Sequence, residues 1–426
     1  MMKKILIIVF IHFFTFPVYS LESTDFLWAN GQSRQKDFPL KGKIFTGIIN
    51  FDSNYVYSFA RPKDHSLIGS TNSGRVNEIQ IQQIGLGGEI SYEKIRGKFM
   101  TQFGMYSSMT PRNDASTNRG QWNLNDAYKY FLEANAGYQL TDNLSLDVGL
   151  FMSYVGLCSY YNYENWVYQM SYVSANTPWF FQGARFNHKI SESIQTEYWI
   201  INGWQSYGQF NEMPGFGIKV QIRPYESFSF VTNNYYGYDT LGKENRLRIH
   251  SDTSVQYKYW DSPTYSIAKA AFSLTVDAGC EQGDGVNCSN QYFLGIMLYN
   301  RIWAKNEKIA FTLGGGMIKN PGRYLVLLPP INGATASSGS YYFSTDPGSR
   351  FMAWDSSLTF DYMPAQSITF RSEYVHRQAN VPYFAARGGI TPNGGNQGTP
   401  GSYVPGFIPD LSSHENRIVF SMLVRL

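Results

Sequence analysis

The sequence has little of three features that define other classes of protein. Its 426 residues include only three cysteines, which is too few for a disulfide scaffold. Beyond residues 5–16 it has no apolar run close to the roughly eighteen residues of a membrane-spanning helix. Its 35 lysines and arginines nearly balance its 32 aspartates and glutamates, and the balance is closer still without Lys3 and Lys4. The charge therefore gives no support for nucleic-acid binding.

Aromatic residues and glycine are abundant instead. Aromatic residues make up 17% of the chain and there are 39 glycines, yet the mean hydropathy is only −0.30. A transmembrane β-barrel needs apolar residues only at alternate positions, so its mean hydropathy stays low. Tyrosine and tryptophan are enriched where such a protein meets the two membrane interfaces. The composition therefore favours an exported all-β chain in a bacterial outer membrane.

Residues 1–20 have the pattern of a secretory signal peptide. Lys3 and Lys4 form a basic start, an apolar run of about a dozen residues follows, and Pro17 ends it. The run is too short to cross a bilayer. We expect residues 1–20 to be removed, residues 21–42 to form a periplasmic segment, and residues 43–426 to form a transmembrane β-barrel.

Alternation with a period of two runs through the mature chain and is clearest in residues 415–426 (ENRIVFSMLVRL). There Ile418, Phe420 and Met422 share one face, and Arg417 and Ser421 share the other. This predicts a strand with one apolar and one mostly polar side. About sixteen such segments occur, an even number as in bacterial outer-membrane barrels: 43–59, 78–93, 97–107, 127–140, 144–157, 180–190, 194–205, 215–223, 228–238, 248–260, 265–277, 291–304, 309–319, 350–362, 367–377 and 415–426.

The connections between these segments alternate between short polar turns and long loops. The long loops are residues 60–77, 108–126, 158–179, 206–214, 239–247, 278–290, 320–349 and 378–414. Outer-membrane barrels have short periplasmic turns and long outer loops. The sequence therefore predicts an all-β fold, a closed transmembrane barrel of about sixteen antiparallel strands, with the long loops outside.

Charged residues fall on the face opposite the apolar one. Burying Lys219, Lys269 or Arg301 in a dry core without partners would be costly, so the pattern predicts a wet lumen. Rings of like charge in a lumen select ions, whereas a self-neutralising ladder only hydrates the wall. With basic residues in slight excess, we expect a weak anion preference. The candidate pore-lining residues are Lys129, Arg185, Lys219, Arg248, Arg301, Asp355, Arg371, Glu373, Arg377 and Arg417.

The loop at residues 158–179 is rich in aromatic side chains. They include Tyr160, Tyr161, Tyr163, Trp166 and Tyr168. One interpretation is a loop folded into the lumen as a constriction, with 320–349 and 378–414 as alternative constriction loops. A second is that the rings stack on sugar solutes. A third is that they form part of the outer interface girdle and pack within the loop.

Cys280 and Cys288 lie eight residues apart in the loop predicted at 278–290, and an oxidising compartment would allow them to form a disulfide. Acidic residues in and beside this loop, Asp277, Glu281 and Asp284, could hold Ca²⁺ or simply form a flexible acidic segment. We expect the acidic segment, with no metal and no cofactor.

Catalysis has little support in the sequence. The nearest histidine and serine on the predicted lipid-facing side, His376 and Ser372, are about 13 Å apart along a strand. A nucleophile and its base must lie within hydrogen-bond reach. We therefore expect no enzymatic activity.

Four segments resemble a known family. They are residues 122–130 (WNLNDAYKY), 176–185 (NTPWFFQGAR), 199–217 (WIINGWQSYGQFNEMPGFG) and 373–384 (EYVHRQANVPYF). In these segments the chain is similar to the OmpL-like outer-membrane barrels of the beta-barrel porin-2 group, and the resemblance extends over roughly residues 43–426. It implies a porin-like barrel with a pore-forming role, and no catalytic motif.

The sequence as a whole predicts an outer-membrane porin, a water-filled channel for passive diffusion of small hydrophilic solutes. The alternative is an adhesin-like surface protein in which long outer loops bind a partner and the barrel is only an anchor. A barrel enzyme is a third hypothesis. The expected partners are outer-membrane lipid, small hydrophilic solutes, the barrel assembly machinery and further copies of the chain in a homo-oligomer.

Overall fold

The computed structural model describes residue 35 and residues 37–111, 121–209, 211–240, 242–304, 307–322, 350–392 and 407–426. The predicted signal peptide, most of the predicted periplasmic segment, and the loop residues 323–349 and 393–406 lie outside the described residues. Among the described residues, no helix has the length and apolar character needed to cross a membrane.

Long β-strands dominate the described residues. They are β1 (Phe45–Ser58), β2 (Ile79–Tyr92), β3 (Ile95–Thr101), β4 (Phe131–Gln139), β5 (Leu144–Met152), β6 (Phe180–Lys189), β7 (Ile194–Ile201), β8 (Gly215–Tyr225), β9 (Phe228–Gly237), β10 (Leu247–Asp261), β11 (Ile267–Gln282), β12 (Tyr292–Ala304), β13 (Ile309–Asn320), β14 (Phe351–Ala365), β15 (Ile368–Ala379), β16 (Phe384–Ala385), β17 (Leu411–Ser412) and β18 (His414–Arg425). Three short helices accompany them: α1 (Tyr106–Met109), α2 (Leu124–Tyr128) and α3 (Tyr172–Ala175).

The strands from β1 to β15, together with β18, form one closed antiparallel barrel of sixteen strands. Neighbours in the chain pair with each other, and the barrel closes where β1 pairs with β18, from Asn50 with Arg425 to Ser58 with Arg417. Closure leaves no unpaired edge, which a spanning sheet requires because lipid offers no hydrogen bonds. The predicted fold class and strand number are confirmed. The separate pair of β16 and β17 lies within the last long loop.

Burial alternates along the strands because successive side chains point to opposite sides of the wall. In β14, Phe351, Ala353 and Asp355 are buried, whereas Met352 and Trp354 are exposed. Apolar side chains therefore face outward, where the lipid lies, and the buried set faces the lumen. The described turns at one end of the barrel are short and the loops at the other end are long, as the sequence predicts.

The predicted boundaries are wrong at several outer ends of strands. Strand β3 ends at Thr101, and α2 occupies residues predicted to be loop or the start of β4, where the Asn123 side chain accepts a hydrogen bond from Asp126 N. Strand β5 ends at Met152 rather than near residue 157, and Tyr154 joins the buried cluster inside the barrel. Strand β11 continues to Gln282, which places Cys280 on a strand. At these ends, loop packing overrides the local alternation.

The apolar core of the molecule lies within the barrel. The largest buried cluster joins Trp166 and Val173, from the loop after β5, to Phe293, Met297 and Trp303 on the inner face of β12. A wall that faced only water would not carry these side chains, since burial of apolar area is what stabilises them. The lumen is therefore partly filled by folded chain, and this filling defines the candidate site.

Candidate functional site

The loop between β5 and β6, residues 153–179, enters the barrel and is termed the inward loop. It contains a 3₁₀ turn at Asn162–Glu164 and the helix α3. Helix α3 lies against β12, β13 and β14. Ser171 caps α3 by accepting a hydrogen bond from Val173 N. Because the loop is irregular, many of its backbone groups need partners from the barrel wall.

Two lumen carboxylates accept hydrogen bonds from the inward loop. Glu373, on β15, accepts from the backbone N–H of Tyr168 at 2.5 Å and of Gln169 at 2.8 Å. Asp355, on β14, accepts from Tyr172 N and from the hydroxyl of Ser171, each at 2.8 Å. Hydrogen bonds to ionised carboxylates are among the stronger ones in proteins. These two residues therefore fix the middle of the loop.

Three lumen arginines donate to carbonyl oxygens of the same loop. Arg371 Nη2 donates to Asn165 O at 2.7 Å, and Arg301 Nη1 donates to Trp166 O at 3.2 Å. Arg377 Nη2 donates to Met170 O at 2.9 Å. All three side chains are buried. The wall thus presents acceptors to the loop's N–H groups and donors to its carbonyls.

Charge balance on this side comes from pairing rather than from water. Arg301 and Arg371 share the buried carboxylate of Asp361, at 2.7 Å and 2.6 Å. The prediction that a wet lumen would hydrate Arg301 is therefore wrong, because a carboxylate and a loop carbonyl take the place of water. The self-neutralising ladder describes this side of the lumen better than rings of like charge.

The aromatic side chains of the inward loop are mostly buried against the wall. Tyr168 OH donates to Asp52 Oδ1 at 2.9 Å, and Tyr161 OH donates to Glu133 Oε1 at 3.0 Å. The Trp166 ring packs edge-on against Trp303, with the ring centroids 5.7 Å apart. Tyr160 is also buried, whereas Tyr163 is half-buried. Rings covered in this way present little face to a passing solute, so stacking on sugars has no support from their placement.

The opposite side of the lumen keeps some contact with solvent near the periplasmic turns. On the inner face of β3–β6, which we term the exposed wall, Arg96, Lys98 and Arg185 are partly exposed, as are Asn135 and Asn187, whereas Ser145 and Asp147 on β5 are buried. By contrast, the inner-face residues of β9 and most of those of β12–β15 are buried. The lumen is thus asymmetric, with one filled side and one part-exposed wall.

Four other predicted pore-lining residues have different surroundings. Lys129 follows α2 outside the strands and bonds Asp126 at 3.0 Å, so its assignment to a lumen face is wrong. Lys219 faces the lumen but is buried beside Glu197, at 3.4 Å. Arg248 is fully buried and lies 2.8 Å from Glu281. Arg417 lies 3.3 Å from Glu415 on its own strand, β18.

Sequence reasoning missed Arg96, which it placed in a turn. The signal was present, because Ile95, Gly97 and Phe99 alternate with Arg96 and Lys98. It also missed the backbone carbonyls and N–H groups of the inward loop as partners of the wall. Nothing in the sequence identifies those contacts, since they join residues about 200 positions apart, such as Tyr168 and Glu373.

The predicted calcium alternative has no support in the described part of the chain. There, no group of three histidine, cysteine, aspartate or glutamate side chains could hold a metal ion. Glu281 is bound to Arg248, and Asp277 lies 2.5 Å from His250 Nε2. Both acids face the lumen from β11, whereas Asp284 accepts a hydrogen bond from Asn245 N beyond the strand end.

Cys280 and Cys288 form a disulfide in the structure, with their Cα atoms 5.0 Å apart. We expect the same pair in the exported protein, where closure of so short a loop would stabilise it by about 2–3 kcal/mol. Mass spectrometry of unreduced peptides should detect the linked pair, with Cys158 as the internal control because it is free in the structure. Two free thiols at 280 and 288 would contradict the expectation.

Asp64 joins two outer loops. Its Oδ2 accepts from Ile390 N at 2.7 Å and from Thr391 N at 2.9 Å, and its Oδ1 accepts from Ser66 N at 3.2 Å. Partial burial raises the pKa of Asp64, but the hydrogen bonds from Thr391, Ile390 and Ser66 outweigh burial, so the pKa lies below its usual value.

We expect this contact between the loops to persist at every pH above about 4, the ordinary range of an aspartate. Because the pKa of Asp64 is lowered in the folded protein, its carboxylate stabilises the loop contact fully above about pH 4. This stabilisation is lost as the pH falls through the pKa of the folded state. Limited proteolysis of the outer loops should therefore accelerate only below this pH. The Asp64→Asn variant should show fast cleavage at neutral pH, and equal cleavage of both proteins at neutral pH would refute the role of Asp64.

Comparison with known protein families identifies the barrel. The family model described as "Putative beta-barrel porin-2, OmpL-like" matches residues 45–401, which is most of the chain. The chain belongs to this porin family. It is therefore a bacterial outer-membrane barrel that serves passive diffusion, as the sequence predicts. No curated protein matches it by sequence.

Solved structures show the same fold at very low identity to this porin. The anion-selective porin from Comamonas acidovorans has a TM-score of 0.53 and 8% identity, covering 90% of this chain and 99% of that one. OprB of Pseudomonas putida has a TM-score of 0.52 and 10% identity, covering 90% and 94%. OmpT of Vibrio cholerae has a TM-score of 0.50 and 8% identity, covering 91% and 99%. These likenesses establish the architecture alone.

Proposed function

We propose that this porin passes small hydrophilic solutes along the exposed wall, while the inward loop fills the other side of the lumen and narrows the path. The observation that carries this proposal is the asymmetry of exposure. Inner-face side chains of β3, β4 and β6 near the periplasm are partly exposed, whereas those beside the inward loop are buried. A porin of this size needs a water-filled lumen, and the exposed wall offers a continuous group of partly exposed polar side chains to that water.

The constriction lies where the inward loop meets the exposed wall. Tyr154, at the start of the loop, stacks on Trp199 at 4.9 Å, and its hydroxyl donates to Asn234 O at 3.0 Å. The Phe181 ring packs beside Tyr154, at a centroid distance of 5.1 Å, and Tyr235 lies 6.4 Å from Phe181. This aromatic cluster covers the outer part of the wall. Solutes would be selected there by size rather than by chemistry.

Selectivity in this proposal is a weak preference for anions. The exposed wall presents Arg96, Lys98 and Arg185 to the lumen, and low-dielectric walls confine their field. The Comamonas acidovorans relative in fold is itself described as anion-selective. Carboxylates beneath these cations keep the preference small.

Single-channel recording in planar bilayers tests the proposal. We expect ion-permeable channels, a reversal potential in a salt gradient that leans slightly toward anions, and exclusion of neutral polymers above a sharp size. Higher salt should reduce this anion preference, since the Debye length falls to roughly 3 Å at 1 M. A folded barrel that carries no current would refute the channel, and the anchor hypothesis, with outer loops that bind a partner, would replace it.

We further infer that the protein has no enzymatic activity and assembles with copies of itself. The His376 and Ser372 pair offers no catalytic geometry, because the two residues lie four positions apart on β15, about 13 Å along the strand. One form of the fold relative from Vibrio cholerae is described as a trimer. Outer-membrane lipid and the barrel assembly machinery remain the other expected partners, and small hydrophilic molecules the expected solutes.

A further inference from the structure

Two arginines share one carboxylate on the exposed wall. Arg96 donates to Asp147 from Nε, at 2.7 Å to Oδ1, and from Nη2, at 2.6 Å to Oδ2. Arg185 donates from Nε to the same Oδ2 at 2.9 Å. Two guanidinium groups therefore share one carboxylate through direct hydrogen bonds, and the charges of Glu197 and Glu133 also act on Arg185 from nearby. We call these three residues the arginine triad.

Exposure within the arginine triad turns its positive charge toward the lumen. The Asp147 side chain is 3% exposed, whereas those of Arg96 and Arg185 are 38% and 27% exposed. The carboxylate thus lies behind the guanidinium groups, and a solute near the periplasmic turns meets the cations first. The carboxylate occupies three guanidinium donors and offsets part of their charge, so an incoming anion would use the remaining N–H groups.

Several donors of the arginine triad remain available to a ligand. Arg185 uses only Nε, so Nη1 and Nη2 have no hydrogen-bond partner among the described residues, and neither does Nη1 of Arg96. A guanidinium presents its donors in a planar fork that matches a carboxylate or a phosphate. Chloride lacks the two oxygens needed to use that fork.

The wall holds Arg185 in place, and no side chain occupies the next inner-face position toward the outer loops on β5 or β6. Its guanidinium lies over the rings of Phe151, at 4.8 Å, and Trp199, at 5.4 Å. The next inner-face positions along β5 and β6 are Gly149 and Gly183, which pair with each other and place no side chain in the lumen. A donor that is already fixed binds a ligand at a smaller entropic cost than a mobile one.

Asn187 completes the support of the carboxylate. Its Nδ2 donates to Asp147 Oδ2 at 2.8 Å, so that oxygen accepts from both arginines and from the amide. The carboxylate therefore organises the two guanidinium groups rather than acting as one more lumen charge. The arginine triad therefore holds its donors in a fixed orientation, which a count of charges alone would not predict.

We propose that Arg96 and Arg185 form a binding subsite for small oxyanions, that is, carboxylates and phosphate, in the periplasmic part of the lumen. The subsite names a solute class for the proposed porin function and rests on that function only for transport, because binding itself needs no current. Neutral solutes of the same size would pass without being held.

Channel recordings in chloride with added succinate or inorganic phosphate test the subsite. In the parent protein, either oxyanion should reduce the chloride current in a saturable way, whereas glycerol should not. The Arg185→Gln and Arg96→Gln variants should lose most of this block. The matched control is Lys269→Gln, which removes one positive charge from a partly exposed side chain on β11 and should retain the block.

Asp147→Asn separates an organised subsite from a simple excess of charge. The variant makes the lumen more positive, so a mechanism based on charge alone predicts a stronger block. The subsite predicts a weaker block, because neither arginine is then held by a carboxylate. Arg185→Lys should also weaken the block while leaving Asp147 unchanged, since lysine keeps the positive charge but lacks the planar fork of donors. It decides the question if the asparagine variant does not fold.

Isothermal titration of the detergent-solubilised protein with succinate distinguishes failure of the subsite from failure of the channel. Saturable heat that is lost in Arg185→Gln, in a protein without current, would uphold the subsite and refute the porin path. Current without block and without heat would overturn the subsite and leave the porin intact. Equal loss of block in Lys269→Gln and Arg185→Gln would also overturn the subsite.

Discussion

Removing the two carboxylates that hold the inward loop should increase the single-channel conductance several-fold. In the double variant Asp355→Ala and Glu373→Ala, the backbone N–H groups of Tyr168, Gln169 and Tyr172 lose their acceptors. Each buried donor left without an acceptor costs about 1–3 kcal/mol. The packed position of the loop then loses much of its advantage over positions away from the wall, and the path along the exposed wall widens.

The matched control for this experiment is Glu415→Ala. Glu415 is another buried lumen carboxylate, but its hydrogen bond is with Arg417 on its own strand rather than with the inward loop. Glu415→Ala removes one negative charge, against two in the double variant, without releasing the loop, so its conductance should stay close to that of the parent. Both variants should keep the gel mobility shift between unboiled and boiled samples that marks a closed barrel. An unchanged conductance in a folded double variant would show that the inward loop does not limit the path.

Arginine at Val148 should severely impair folding, whereas arginine at Asn135 should be tolerated. Val148 is the central residue of β5, faces outward and is 56% exposed, so its side chain lies in the lipid. A basic residue near the bilayer midplane of a barrel costs about 2–4 kcal/mol. Asn135 lies at almost the same depth, because it pairs with Gly149 while Ala136 pairs with Val148. Its side chain faces the lumen.

The measurement is the folded fraction of each variant in lipid vesicles across a urea series, read from the mobility of unboiled samples. The midpoint for Val148→Arg should fall well below that of the parent, and the midpoint for Asn135→Arg should fall only slightly. If both variants lose the same stability, the assignment of inner and outer faces on β4 and β5 is wrong. Because the two substitutions add the same side chain, its helix or strand propensity cannot explain a difference.

Local alternation was sufficient to find the wall of the barrel. In residues 415–426, polar and apolar side chains alternate, and the structure places Arg417 inside and Phe420 outside. A lipid environment enforces this pattern, because every outward position must be apolar and every backbone group must be paired within the sheet. The same pattern failed at the outer ends of β3, β4 and β5, where loop residues pack on the wall and neighbours in sequence no longer determine which face is covered.

The sequence by itself determined the class of this protein: an exported, closed barrel of sixteen strands with charged residues on its inner face. Only the tertiary structure decided what those charges do. Arg371 and Arg377 have the same inner-face parity as Arg185, yet they are buried under carbonyls of the inward loop, whereas Arg185 remains partly exposed. The physical reason is that parity fixes the side of the wall on which a residue lies, while contacts across some two hundred residues of chain determine whether water or folded backbone covers it.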